Sequence, residues 1–337
     1  MRILYHLTIE PPKRPSCEAI SQEIAILRKH FTGEVIYLNP NQHVPFHIPR
    51  LLFGFHKLRV IRKLESRVAL HHLYNPDPFP FPILRLLRKP VVYSLTGGMR
   101  GKRINKRFFN SLDAITVMDQ ASFHALQSQG LDNVHLVRPG IKVERFTHTP
   151  APLNSEIRLL VGSAPWTLAQ FKSKGIDALL EAAKDMPRLH LVFLWRGILT
   201  KEMRRRVRSM GLEDRVEILD EIVDVNEVLA RVHASVTLAT KSDIIKAYPH
   251  SLLESLAAGK PVLVSRAIPM ADYVEKKKCG VVVEEVSSTN ISKKILFLAK
   301  DYDNYHQATI NAGRKEIATG KMIESFHQVY QTLGSSK

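Results

Sequence analysis

The stretch Lys246-Ala-Tyr-Pro-His-Ser-Leu-Leu-Glu-Ser-Leu-Ala-Ala-Gly-Lys-Pro-Val-Leu-Val-Ser265 reads as a loop, a helix and a strand in succession. Pro249 suits a first helical turn, where its missing N–H would be unpaired anyway. Leu252, Leu253, Leu256 and Ala257 then form an apolar stripe around Glu254 at helical spacing. Gly259 ends the helix, as glycine does one place beyond a C-cap. Pro261-Val-Leu-Val264 is a short apolar run of the kind expected for a strand buried on both faces. A loop that feeds a helix N-terminus is an anion site, because free N–H groups and the positive dipole end point out of it. Lys246 stands beside that site and Glu254 lies one turn into the helix.

The same alternation of strand and helix runs through the chain, which predicts α/β architecture with parallel sheets. Strands are expected near 2–6, 34–38, 68–73, 90–94, 114–118 and 134–137. A second series follows near 158–161, 189–195, 216–219, 235–239, 261–264 and 280–283. Two helices are expected after the last strand. The Pro-rich segment 148–155 is the linker candidate between two doubly wound units. The expected divisions are 1–150, 151–318, and a C-terminal helix over 319–337 that crosses back to the first domain. Such units bind ligands beyond the carboxyl ends of their strands.

Composition narrows the function classes. The 337 residues suffice for two cores, and 45% hydrophobic content is that of a globular protein. Cys17 and Cys279 form neither a disulfide framework nor a zinc-ligand cluster, which fits a reducing cytoplasm. No apolar run approaches the roughly 18 residues that span a bilayer, and the N-terminus reads as a first strand rather than a signal peptide. The net charge of +17 is uneven: residues 1–150 hold 22 Lys and Arg against 10 Asp and Glu. A basic first half points to a polyanion, an anionic membrane surface or an acidic acceptor. Nucleic acid fits poorly, because no basic and aromatic stacking platform is present.

Several segments occur in a telling order: Val137-Arg-Pro-Gly-Ile-Lys-Val-Glu-Arg-Phe146, Lys174-Gly-Ile-Asp177, then Ser251-Leu-Leu-Glu-Ser-Leu-Ala-Ala-Gly-Lys-Pro-Val262. This order resembles the GT-B glycosyltransferases of family 4, which transfer sugars with retention from sugar nucleotides. The resemblance implies two Rossmann-like domains facing across a cleft, the first for the acceptor and the second for the nucleotide sugar. It implies no cofactor beyond the nucleoside diphosphate sugar. It also implies a front-face displacement in which positioning and charge stabilisation do most of the work.

On this resemblance Glu254 holds ribose hydroxyls, since a carboxylate accepts two hydrogen bonds from a vicinal diol. The competing reading is a capping box, Ser251-x-x-Glu254. Lys174 matches the cation that receives the leaving diphosphate. Arg196 is the first candidate for a second phosphate cation, with Lys172 and Lys246 as the others. Lys246 also stands where the family keeps an acidic residue that contacts the donor sugar. It either clamps phosphate, pairs with an acidic sugar, or points away and leaves the sugar to the backbone of Ala247, Tyr248 and His250. Ser251 completes the donor loop. In the first domain, Thr96-Gly97-Gly98 stands where the family usually has a His, so an imidazole base is not expected there. No Asp-x-Asp pair offers a metal site, and the expected activity is metal-independent.

Leu51, Phe55, Leu58 and Ile61 fall on one face if residues 50–64 form a single helix, with Arg50, Lys57, Arg59, Arg62 and Lys63 around the rest. Such a helix suits an anionic membrane, although packing on the first sheet would produce the same pattern. The expected function is transfer of a glycosyl group to a cell-envelope polysaccharide or lipid-linked acceptor, in the cytoplasm or at the inner face of the membrane. The alternative is a degenerate GT-B protein that binds a partner or membrane without catalysis.

Overall fold

The computed structural model describes residues 1–334 except 9, 11–17, 42–43, 150, 154 and 196, together with the side chains at 313 and 314. Contacts divide it into two units, residues 1–139 with 320–337, and residues 140–319.

The first unit is built on β1 (Ile3–Leu7), β2 (Gly33–Tyr37), β3 (Leu70–Asn75), β4 (Val91–Leu95), β5 (Ala114–Val117) and β6 (Val134–Leu136). All pairings are parallel, in the order β2-β1-β3-β4-β5-β6. Strands β1, β3, β4 and β5 are buried along their whole length, so His6, His71, His72, Asn75, Ser94 and Thr116 are buried with their apolar neighbours. The order turns back between β1 and β3, so their carboxyl ends form this unit's switch point. The helix Thr319–Gly334 buries Phe326 and Tyr330 in this unit. The Tyr330 hydroxyl lies 2.7 Å from His72 Nδ1, and His72 Nε2 lies 2.7 Å from Ser94 Oγ.

The second unit contains β7 (Ile157–Val161), β8 (Leu189–Leu194), β9 (Val216–Leu219), β10 (Ala234–Thr237), β11 (Val262–Ser265) and β12 (Gly280–Val283). They are again parallel, in the order β12-β11-β10-β7-β8-β9. This is the dinucleotide-fold order, with its switch point between β7 and β10.

Three expectations need correction. Residues 140–150 belong to the second unit, because Ile141, Val143 and Phe146 bury in its core and Ile141 bridges to Ala318. The Pro-rich segment also lies inside that unit, where Pro152 O accepts from His233 Nε2 at 3.2 Å. Three helices, not two, follow β12: Ser288–Lys300, Tyr302–Glu316 and Thr319–Gly334. Residues 50–64 are not one helix. Gly54 takes φ +87°, which splits them into 3-10 turns at Arg50–Leu52 and Phe55–Lys57 and a helix at Leu58–Glu65. The proposed apolar face is lost, since Ile61 is buried while Leu51 and Phe55 are exposed.

Candidate functional site

The site is best built from the carboxyl ends of β7 and β10. Gly162 follows β7 directly. A Cβ there would lie 2.4 Å from Ser251 Cβ, so only glycine lets β7 run against the first turn of the helix His250–Ala257. Ser251 Oγ lies 3.3 Å from Thr237 Oγ1 at the end of β10. The two strand ends and the helix start thus meet at one point.

Lys174 reaches the same end of the sheet. It is buried, and its Nζ donates to Ala164 O at 2.9 Å, two residues beyond Gly162. The following Gly175 has φ +66°, and a Cβ on it would approach Leu238 Cβ to 2.8 Å. Thr240 N donates to Ser173 O at 2.8 Å. The Lys174-Gly175 turn is therefore held against the end of β10.

The donor loop is also ordered by packing. Lys246 and His250 are buried, with Nζ 3.4 Å from His250 Nε2. Burial, with the neighbouring Lys246 charge, holds the His250 pKa well below the usual imidazole range. The neutral ring accepts from the ammonium through Nε2. Ala247 O accepts from Met270 N at 3.1 Å, and the Tyr248 ring meets Tyr273 edge-on with centroids 6.1 Å apart.

Glu254 lies one turn beyond His250 on the same helical face. The capping-box alternative does not hold. The N-cap is Pro249, which accepts from both Leu252 N and Leu253 N at 3.1 Å, and Ser251 is already inside the helix. Among the described residues the Glu254 carboxyl has no hydrogen-bond partner. Burial pushes its pKa up to about 7 against the opposing pull of Arg145. A carboxylate so placed is suited to donors that come from a ligand. Arg145 was given no role above, although it stands in the quoted segment ending at Phe146.

Arg196 lies outside the described residues. Thr96, Gly97 and Gly98 belong to the first unit, just beyond β4, where Thr96 N donates to Asn75 O at 2.9 Å. Beside them Thr8 Oγ1 donates to Asn75 Oδ1 at 2.6 Å. Arg50 forks onto Asp77 at 2.5 and 2.7 Å. His6 and His71 are packed residues: His6 Nε2 lies 2.9 Å from His71 Nδ1, and His71 Nε2 lies 3.1 Å from Glu65 Oε1. Among the described residues no three His, Cys, Asp or Glu side chains are grouped as a metal site would require. Among them, too, no helix is long and apolar enough to cross a membrane.

Comparison with known proteins places this geometry. Solved structures that resemble the whole chain include Anabaena Alr3699/HepE in complex with UDP and glucose. It is 16% identical, with all of both chains covered and a TM-score of 0.70. Sucrose-phosphate synthase from Thermosynechococcus elongatus is 13% identical, again over all of both chains, with a TM-score of 0.73. WaaG, a glycosyltransferase involved in lipopolysaccharide biosynthesis, is 13% identical over 98% of this chain and 99% of its own, with a TM-score of 0.67. At these identities the likeness establishes the fold, which is that of the GT-B glycosyltransferases. Residues 168–316 match the family model described as glycosyl transferases group 1, a span that includes Lys174, Lys246 and Glu254. No curated protein sequence matches the chain.

Proposed function

We propose that the protein is a glycosyltransferase that moves a sugar from a nucleoside diphosphate sugar to a cell-envelope polysaccharide or lipid-linked acceptor, with retention and without a metal. The observation that carries the reading is the Glu254 carboxyl, without a hydrogen-bond partner among the described residues and one turn into a helix whose start is packed on the β7–β10 switch point. In this reading Glu254 accepts hydrogen bonds from the ribose hydroxyls. The first turn of the helix, with Ser251, faces the phosphates. Lys174 and Lys246 stabilise the charge that grows on the departing diphosphate, which is the term such a transfer most needs. Arg196 remains a third cation for the same task. The backbone at Tyr248 and His250 takes the sugar, and Thr96, Gly97 and Gly98 line the acceptor side of the first unit. Work takes place in the cytoplasm or at the inner face of the cell membrane. The complexes of Anabaena HepE with UDP and UDP-glucose make UDP the first nucleotide to try.

Calorimetric titration with UDP, GDP and ADP tests the reading. One of them is expected to bind, and Glu254→Ala is expected to weaken it at least tenfold, the loss of about two charge-assisted hydrogen bonds. Absence of binding by all three would favour the non-catalytic alternative.

A further inference from the structure

Between Glu34 and Asp113 the chain contains two acidic residues, Glu65 and Asp77, against 14 Lys and Arg. Both carboxylates are already engaged by arginines of the same segment. Glu65 is buried and takes Arg62 at 2.9 Å, His71 at 3.1 Å and the Arg88 N–H at 2.6 Å. Asp77 is gripped by Arg50. The segment therefore carries a large excess of positive charge, with Lys57, Arg59 and Lys63 exposed on its surface.

The same surface displays large apolar side chains. Leu51 is 53% exposed, Leu52 52% and Phe55 38%. They are not loose. Between them Phe53 is buried and stacks on Phe81 at 6.4 Å, and Gly54 N donates to Leu38 O at 2.9 Å. A Cβ on Gly54 would meet Leu38 and Ile83 at 3.2 Å, so the turn is pressed onto the core at its centre. Two anchored residues thus hold three apolar ones outward. The 3-10 turn Pro82–Leu86 packs beside Arg50–Leu52, and Arg62 of the helix Leu58–Glu65 donates to Leu86 O. Exposed Leu86 and Arg85 therefore extend the same face, and Lys57, Arg59 and Lys63, which follow Phe55 in the chain, are exposed as well.

We infer that this face of the first unit docks on an anionic lipid bilayer, with Leu51, Leu52 and Phe55 entering the acyl boundary and the surrounding cations pairing with headgroups. Apolar insertion and basic charge are each weak alone and sufficient together. A second copy of this face is a poor occupant, because it would set cation against cation. On the transferase reading, docking brings the acceptor-side unit to lipid-linked acceptors, but vesicle binding itself needs no catalysis.

The test is sedimentation of the full chain with phosphatidylcholine vesicles, alone or containing 30% phosphatidylglycerol (roughly the anionic fraction at which a polybasic face partitions well). Nucleotide binding is titrated in parallel, so that failure of this inference and failure of the transferase reading are separable. The expected result is binding to the anionic vesicles only, weakened by salt. Leu51→Ser/Leu52→Ser/Phe55→Ser should reduce partition about tenfold or more with nucleotide binding unchanged. Lys57→Gln/Arg59→Gln/Lys63→Gln should reduce it by roughly five-fold per charge and flatten the salt dependence. Equal binding to neutral vesicles, no binding at all, or wild-type partition by the serine variant would overturn the inference. So would a dimer in sedimentation velocity that the serine variant dissolves, or heparin binding without vesicle binding.

Discussion

Glu254 shows how one side chain can link fold stability to ligand binding. Its folded pKa of about 7 lies above the ordinary carboxylate value. The folded state therefore favours the protonated form, and the group's stabilising contribution is present below about pH 4.5 and lost as pH rises through 7. Glu254→Gln should accordingly stabilise the chain at pH 8, by up to about 3 kcal/mol, and change little at pH 4.5. Denaturant melts of both proteins at the two pH values check this. Ribose hydroxyls donate to the ionised form, so nucleotide binding should have the opposite preference. Affinity is expected to fall roughly tenfold between pH 8 and pH 6 in wild type and to be flat in Glu254→Gln. Titrations across that range decide it. Lys174 is a simpler case. Its ammonium is already oriented by Ala164 O, so Lys174→Ala should lower the transfer rate by tenfold or more while raising the nucleotide Kd less. That is the pattern of a group whose charge matters most as the diphosphate departs.

At the scale of elements, the site depends on two close approaches that only glycine allows. Gly162 lets β7 meet the helix His250–Ala257, and Gly175 lets the Lys174 turn lie on Leu238. Gly162→Ala is expected to cost about 1–3 kcal/mol and to weaken nucleotide binding by displacing the helix start. Adding Ser251→Gly removes the atoms in the way and should recover most of the stability. A thermal-melt double-mutant cycle reads the coupling directly. No recovery would mean that the helix is not seated on Gly162 as described. The sequence marked Gly175 as part of a motif, but not the contact that requires it, because a Cβ clash is a property of the partner's position. Residues 50–64 make the same point in reverse. Their spacing satisfies a helical wheel, yet Gly54 turns left-handed to press the chain onto Leu38 and Ile83.

At the scale of the whole molecule, the first unit stores acid sensitivity in its interior. His6, His71 and His72 are all buried on β1 and β3, and burial lowers each pKa, that of His72 to about 3. For His71 the Glu65 carboxylate pulls the other way without winning. A base whose folded pKa is depressed gives stability that is full above about pH 6.5 and lost as pH falls toward the folded value. His72 alone should account for a loss on the order of 3–5 kcal/mol by pH 3. His72→Gln should therefore narrow the gap between melts at pH 7 and pH 4. Tyr330 reaches His72 from the C-terminal helix, so removing residues 319–337 should destabilise the first unit while leaving the second with its nucleotide site.

By itself the sequence determined the alternation of strands and helices, the two doubly wound units, and Lys174, Lys246 and Glu254 as the residues to watch. The first two follow from periodicity and glycine placement, which are local, and the three residues follow from the resemblance of the motif order to a known family. Only the tertiary structure decided that Ile141, Val143 and Phe146 bury in the second unit. It also decided that Ser251 packs on Gly162 rather than capping a helix with Glu254, and that Lys246 faces His250. The burial in the second unit and the seat of Ser251 on Gly162 depend on residues far apart in the chain, and no spacing rule encodes that. That the Glu254 carboxyl has no hydrogen-bond partner among the described residues is of the same kind, since it depends on where residues distant in the chain are placed.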